Sequence, residues 1–150
     1  MEKKTVLFIC TRNACRSQMA EALVNHFLGD RWEAFSAGTK PGTPNPLALR
    51  ALAEIGVAHP HAKSESLDVY ADRPFDLVIT LCGDADQNCP VFFGGKRREH
   101  IGFDNPDAAV GSEEERMVVF RRVRDEIKET ILARLRAYDP DEIALVLPQL

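Results

Sequence analysis

One short stretch, residues 10–17 (CTRNACRS), combines a thiol, a guanidinium and hydroxyl groups at close spacing. A turn of backbone N–H groups that leads into a helix forms a concave binding site for anions. Arg16 adds a planar guanidinium that can bind two oxygens of a tetrahedral oxyanion. The same dipoles favour the thiolate form of Cys10, to which the Ser17 hydroxyl can donate a hydrogen bond. These residues therefore predict nucleophilic attack by Cys10 on a phosphate-like centre.

The elements that must position this stretch alternate between strands and helices. Short apolar runs predict strands over residues 4–10, 34–38, 76–82 and 100–104. Apolar stripes predict helices over residues 16–28, 46–55 and 113–138, the second with Asn45 as N-cap and Gly56 as C-cap. This order is typical of a single three-layer α/β/α domain, with a four-stranded parallel sheet and helices on both faces. Because ligands bind at the carboxyl ends of such strands, Cys10 and Cys82 are expected at the same edge of the sheet.

Composition and charge exclude several classes of function. A chain of 150 residues with 45% hydrophobic and 28% charged residues is typical of one soluble globular domain. Its net charge of −4 argues against nucleic-acid binding. The longest apolar run has five residues, far below the about 20 of a transmembrane helix, so no membrane association is expected. We expect a cytoplasmic protein, since the N-terminus has no signal-peptide pattern.

The four cysteines are not expected to form structural disulfides. In the cytoplasm, thiols serve as metal ligands or as redox and catalytic groups more often than as structural disulfides. The spacings Cys10-x4-Cys15 and Cys82-x6-Cys89 are poor for zinc, so no metal site is expected. Cys15 is expected to be structural.

Several motifs together resemble a known family. The loop at residues 10–17 resembles that of the low-molecular-weight protein tyrosine phosphatases and of the arsenate reductases built on the same fold. The sequences QMAE at residues 18–21 and SAGT at residues 36–39 are similar to the arsenate reductase branch. The segment LCGDADQNCP at residues 81–90 resembles the redox segment of thioredoxin-coupled arsenate reductases, and FRRVRDEI at residues 120–127 matches the same group. The resemblance covers about residues 4–138, and residues 139–150 are interpreted as a C-terminal tail.

The resemblance implies a relay of three thiols. The residue matching Cys10 attacks arsenic, and the residue matching Cys82 then attacks Cys10, which releases arsenite and leaves a disulfide. The residue matching Cys89 moves that disulfide to the 82–89 pair, where thioredoxin reduces it. The expected partners are an arsenate-like or phosphate-like oxyanion and thioredoxin. Reducing equivalents come from thioredoxin without a bound cofactor, and a monomer is expected.

The residues expected to bind the oxyanion are Thr11, Arg12, Asn13, Ala14, Cys15, Arg16 and Ser17. The chain departs from the family pattern at two positions. Arg12 replaces the usual Gly of the loop, and Asn105 replaces the Asp that precedes Pro106 and acts as general acid. An amide cannot act as a general acid, and loss of a general acid typically lowers the rate about 10²–10⁴-fold. Asp104 is the candidate substitute for the acid, and Asp107 is another.

Three functions stay open on the sequence alone. Besides arsenate reduction, Cys10 and Arg16 would also serve a low-molecular-weight protein tyrosine phosphatase or a non-catalytic redox or oxyanion sensor. The Cys82 and Cys89 pair favours the reductase, because a phosphatase does not need it. Some relatives bind potassium through residues that match Asn13, Glu21 and Ser36, and the ammonium of Lys63 is expected to oppose a metal ion there.

Overall fold

The computed structural model describes residues 3–82 and 96–138. A four-stranded sheet forms its centre, with strands in the order β2-β1-β3-β4 and every pair parallel. The strands are β1 (Lys4–Ile9), β2 (Trp32–Ala37), β3 (Leu77–Thr80) and β4 (Arg98–His100). The α-helices are α1 (Arg16–Phe27), α2 (Pro46–Glu54) and α3 (Glu113–Arg136), and two 3₁₀ helices cover Leu67–Tyr70 and Pro106–Ala108. The predicted parallel α/β fold is confirmed.

The predicted helices are all present, whereas the strand bounds needed correction. The predicted fourth strand is present, but its predicted range of residues 100–104 was wrong, because β4 covers Arg98–His100. Its pairing explains this end: His100 lies opposite Thr80, the last residue of β3, so the ladder has no further partner. Because β3 itself ends at Thr80, Cys82 lies two residues beyond the strand rather than at its end. The predicted tail over residues 139–150 lies outside the described residues.

Alternate residues of the strands bury two separate faces. On the first face, Val6 and Phe8 of β1 pack into one cluster with all three α-helices. On the second face, Leu7 and Ile9 pack with residues that include Tyr70 from the first 3₁₀ helix. Within residues 3–82 and 96–138, the second face is thus covered by this 3₁₀ helix and its flanking loops. The central strand β1 is buried on both faces, and Cys10 follows it directly.

The start of α2 is fixed by local chemistry that the sequence predicts. The Asn45 side-chain oxygen accepts a hydrogen bond from Leu47 N at 2.8 Å, and Pro46 occupies the first helical turn. After the helix, Gly56 has a φ of +77°, which other residues rarely adopt.

In the described part of the chain, no helix is long and apolar enough to cross a membrane.

Candidate oxyanion-binding site

The nucleophile candidate lies at the floor of the loop between β1 and α1. Cys10 follows β1 directly and is 2% exposed. Its Sγ lies 2.9 Å from the Ser17 hydroxyl, which in turn lies 2.6 Å from Oδ1 of Asn13. A hydroxyl has only one proton. While Ser17 donates to Asn13, the neutral thiol of Cys10 therefore donates to Ser17, and an ionised Cys10 would draw the Ser17 proton toward itself. The arrangement can stabilise a thiolate.

Asn13 holds the sharpest bend of the loop. Its φ of +52° is in the left-handed region, where Asn is tolerated better than most residues. The Asn13 carbonyl accepts hydrogen bonds from Nε2 of Gln18 at 2.9 Å and from the Ser64 hydroxyl at 2.8 Å. Sequence reasoning missed Ser64, because a contact across 51 residues leaves no local pattern. Gln18 was noticed only as part of the QMAE motif, although it lies five residues from Asn13. Oε1 of Gln18 also lies 2.8 Å from Nε2 of His59, which follows α2.

Arg12 explains how the loop tolerates a residue other than Gly at this position. Within the described ranges, Asn13 is the only non-glycine residue with a positive φ, so Arg12 needs no special backbone freedom. The carbonyl of Arg12 accepts a hydrogen bond from Gly42 N at 3.1 Å. Its guanidinium lies so close to Gly42 that a methyl group there would approach Nη2 to 3.1 Å. Arg12 therefore places positive charge at the rim of the loop.

Arg16 is buried at the start of α1, with 3% of its surface exposed. Its Nη1 donates to the carbonyl oxygen of Phe103 at 3.2 Å. This bond ties the loop to the segment that follows β4. The N-cap of α1 is Cys15, which makes no side-chain cap hydrogen bond. The N-terminus of α1, which carries partial positive charge, and the buried guanidinium of Arg16 therefore belong to adjacent residues. Both groups can bind an anion.

Gly38 permits the close approach of the loop to the end of β2. A methyl group at Gly38 would lie 2.5 Å from the Thr11 carbonyl oxygen and 2.7 Å from that of Cys10. Both are backbone atoms, so the loop itself would have to move. We expect Gly38→Ala to weaken phosphate binding at least about tenfold, or about 1.4 kcal/mol, as measured by titration calorimetry. Gly42→Ala is the matched control, because only the flexible end of a side chain would have to yield there. Equal affinities in both variants would contradict this role of Gly38.

The remaining cysteines differ in their setting. Burial, and then the negative charge of Asp107, raises the pKa of the Cys15 thiol, so this thiol stays neutral at neutral pH. That direction supports the expected structural role of Cys15. Cys82 is 1% exposed and follows β3, at the same edge of the sheet as Cys10. Cys89 lies outside the described residues.

The candidate acid Asp104 is paired with an arginine, and Asn105, which replaces the usual acid, caps a 3₁₀ helix. The carboxylate of Asp104 lies 3.2 Å from Nη2 of Arg122 on α3. Oδ1 of Asn105 accepts a hydrogen bond from Asp107 N at 3.1 Å and so caps the second 3₁₀ helix. The side chain at position 105 therefore has a structural role that does not need a carboxyl group.

The residues that match potassium ligands in relatives are engaged within the protein. The Ser36 hydroxyl donates to Glu21, and burial raises the pKa of Glu21 to about 7. The ammonium of Lys63 lies 3.3 Å from the Glu65 carboxylate. Oδ1 of Asn13 accepts the hydrogen bond from the Ser17 hydroxyl. Across the described ranges, no cluster of three or more His, Cys, Asp or Glu residues could hold a metal ion.

The fold and the site together define a parallel α/β protein with a buried cysteine at the floor of a strand–loop–helix turn, and comparison with known proteins specifies its family. The model of the low molecular weight phosphotyrosine protein phosphatase family matches residues 5–139. The chain belongs to this family.

Related proteins carry a more specific name. An arsenate reductase of Halalkalibacterium halodurans is 47% identical over 131 residues, which cover 87% of this chain and 94% of that protein. The solved structure of an arsenate reductase in the phosphate-binding state matches with a TM-score of 0.76 at 28% identity, covering 91% of this chain and 99% of that one. A thioredoxin-dependent arsenate reductase of Corynebacterium glutamicum matches with a TM-score of 0.55 at 34% identity, covering 88% of this chain and 64% of that one.

Proposed function

We propose that this protein is an arsenate reductase that uses Cys10 as its nucleophile. The observation that carries the proposal is the Cys10 thiol at the floor of the loop, 2.9 Å from the Ser17 hydroxyl and next to the N-terminus of α1. Arg16 would bind the arsenate oxygens, since arsenate and phosphate share size, charge and tetrahedral shape. The relatives named arsenate reductase support this choice of substrate.

The first step would be substitution at arsenic. The thiolate of Cys10 attacks As(V), an S–As bond forms, and one As–O bond breaks. The leaving oxygen takes up protons and departs as water. Ser17 would supply the hydrogen bond that stabilises the thiolate before attack, and Arg16 would stabilise the negative charge on the remaining oxygens.

The second step would be the reduction itself. The Cys82 thiolate attacks the Cys10 sulfur, an S–S bond forms, and the S–As bond breaks with its electron pair remaining on arsenic. Arsenic becomes As(III) and leaves as arsenite, and the two thiols have supplied the two electrons. The support for Cys82 is its position: it is buried and follows β3 at the edge where β1 delivers Cys10.

Cys89 would then regenerate the site. Its thiolate attacks Cys82, which frees Cys10 and forms an 82–89 disulfide for reduction by thioredoxin. The support for this step is the sequence of residues 81–90 together with the thioredoxin-dependent reductase among the similar structures.

The proposed function is tested by arsenate-dependent NADPH consumption with thioredoxin and thioredoxin reductase. We expect turnover by the wild type and none above background by Cys89→Ser. Retained turnover in Cys89→Ser would contradict the third thiol step and point to a glutathione-type route that ends at Cys82. Absence of turnover in a folded, reduced wild type would contradict arsenate reduction. Cys15→Ala is the control, because this neutral thiol should not take part in the relay.

A second activity is favoured by the loop itself, which would also bind a phosphate ester. Without an acid at Asn105, the release of a poor leaving group should be slow. We expect Asn105→Asp to raise the kcat for hydrolysis of methyl phosphate, a small alkyl ester, about 10²-fold, because methoxide needs a proton to leave. A carboxylate can still accept the bond from Asp107 N, so the turn is kept. Asn105→Ser keeps a cap acceptor without the acid and should show no increase; a kcat that does not rise in Asn105→Asp would contradict the explanation.

A further inference from the structure

One side-chain hydrogen bond joins segments from opposite edges of the sheet. Nδ2 of Asn45 donates to Oδ1 of Asp107 at 2.7 Å. Asn45 belongs to the segment after β2, and Asp107 belongs to the segment after β4. β2 and β4 are the two edge strands, and β1, which leads into the oxyanion loop, lies between them in the sheet.

Both segments are also hydrogen-bonded to residues 14 and 16 of the oxyanion loop and the start of α1. Asn45 N donates to the Ala14 carbonyl oxygen at 3.0 Å. On the other side, the Phe103 carbonyl accepts the bond from Arg16 at 3.2 Å. The Asp107 carboxylate is also near enough to the loop to raise the pKa of the Cys15 thiol, second only to burial. The Asn45–Asp107 bond, called the bridge from here on, therefore joins two segments that each contact the oxyanion loop.

We propose that the Asn45–Asp107 bridge determines substrate size, admitting small inorganic oxyanions to the loop and excluding aromatic phosphate esters. An inorganic oxyanion fits within the loop. The ring of an aryl ester must extend out of the loop, between the two segments that the bridge holds together. The bridge thus deepens the proposed function by naming the residues that select arsenate-like ions over phosphotyrosine-like esters. This role of the bridge rests on the proposed function, which names arsenate as the substrate. The effect of the bridge on the size of the bound ligand can be measured without turnover.

Binding of two ligands without turnover tests the proposal. Titration calorimetry would compare inorganic phosphate with phenylphosphonate, which is stable to hydrolysis. In the wild type, we expect phenylphosphonate to bind at least about tenfold more weakly than phosphate. Asn45→Asp keeps the cap of α2 but places two carboxylates face to face, and Asp107→Ala removes the acceptor without touching α2. In both variants the ratio of the two affinities should approach one.

The swapped double variant Asn45→Asp with Asp107→Asn re-forms the bond with donor and acceptor exchanged. We expect it to restore the wild-type ratio, which a merely structural effect of either single change would not do. Asp72→Asn, which removes an exposed carboxylate before β3, is the control and should leave the ratio unchanged. A ratio that stays the same in both single variants, or a double variant that does not recover it, would overturn the proposal. Failure of arsenate turnover would contradict the proposed function but not this result.

Discussion

Cys10→Ser is expected to abolish arsenate reduction while leaving the protein folded. A serine hydroxyl is not ionised at neutral pH and cannot form a disulfide, so both proposed steps would stop. We expect the rate to fall by more than about 10³-fold, in line with removal of a nucleophile from other enzymes. The serine side chain is smaller than that of cysteine and fits the same space, and its hydroxyl can still hydrogen-bond to Ser17, so the fold should be kept.

The measurement is coupled turnover beside a thermal unfolding scan. A variant with an unchanged melting temperature and no turnover would support Cys10 as the nucleophile. Substantial residual reduction by a folded Cys10→Ser variant would contradict the assignment. The same variant should still bind phosphate, because the backbone N–H groups of the loop and Arg16 remain.

Arg16→Lys is expected to lower oxyanion affinity by about 10²-fold despite keeping the charge. Lysine lacks the planar pair of N–H donors that match two oxygens of a tetrahedral anion. It would also lose the geometry that lets Nη1 reach the Phe103 carbonyl at 3.2 Å. The loop would therefore lose both a ligand and a tie to the segment after β4.

Phosphate affinity measured by calorimetry tests this expectation. Arg31→Lys is the matched control, because Arg31 is exposed just before β2, at the end of the sheet opposite the loop. Its phosphate affinity should equal that of the wild type. An unchanged affinity in Arg16→Lys would show that the guanidinium does not face the bound anion.

Local chemistry explains why much of this fold could be predicted from the sequence. The strand that leads to Cys10, the helix that begins at Arg16 and the Asn45 cap all depend on residues close together in the chain. The continuous apolar run of β1 likewise predicts a strand buried on both faces, as the two clusters around it show. The parts of the site that neighbouring residues specify were therefore visible in the sequence.

Long-range contacts explain what could not be predicted. The end of β4 depends on where its partner β3 stops, and its own residues do not indicate this. The support of Asn13 by Ser64 and the bond between Asn45 and Asp107 join residues 51 and 62 positions apart, respectively. The pairing of Asp104 with Arg122 likewise depends on how α3 packs. Each of these contacts is set by tertiary packing.

A single-turnover experiment tests the central claim most directly. Reduced Cys89→Ser protein would be mixed with arsenate in the absence of thioredoxin, followed by arsenite measurement and peptide mapping. We predict one arsenite released per chain, together with a disulfide between Cys10 and Cys82. Release of arsenite without that disulfide would contradict the thiol relay, and absence of arsenite from a folded, reduced protein would contradict arsenate reduction itself.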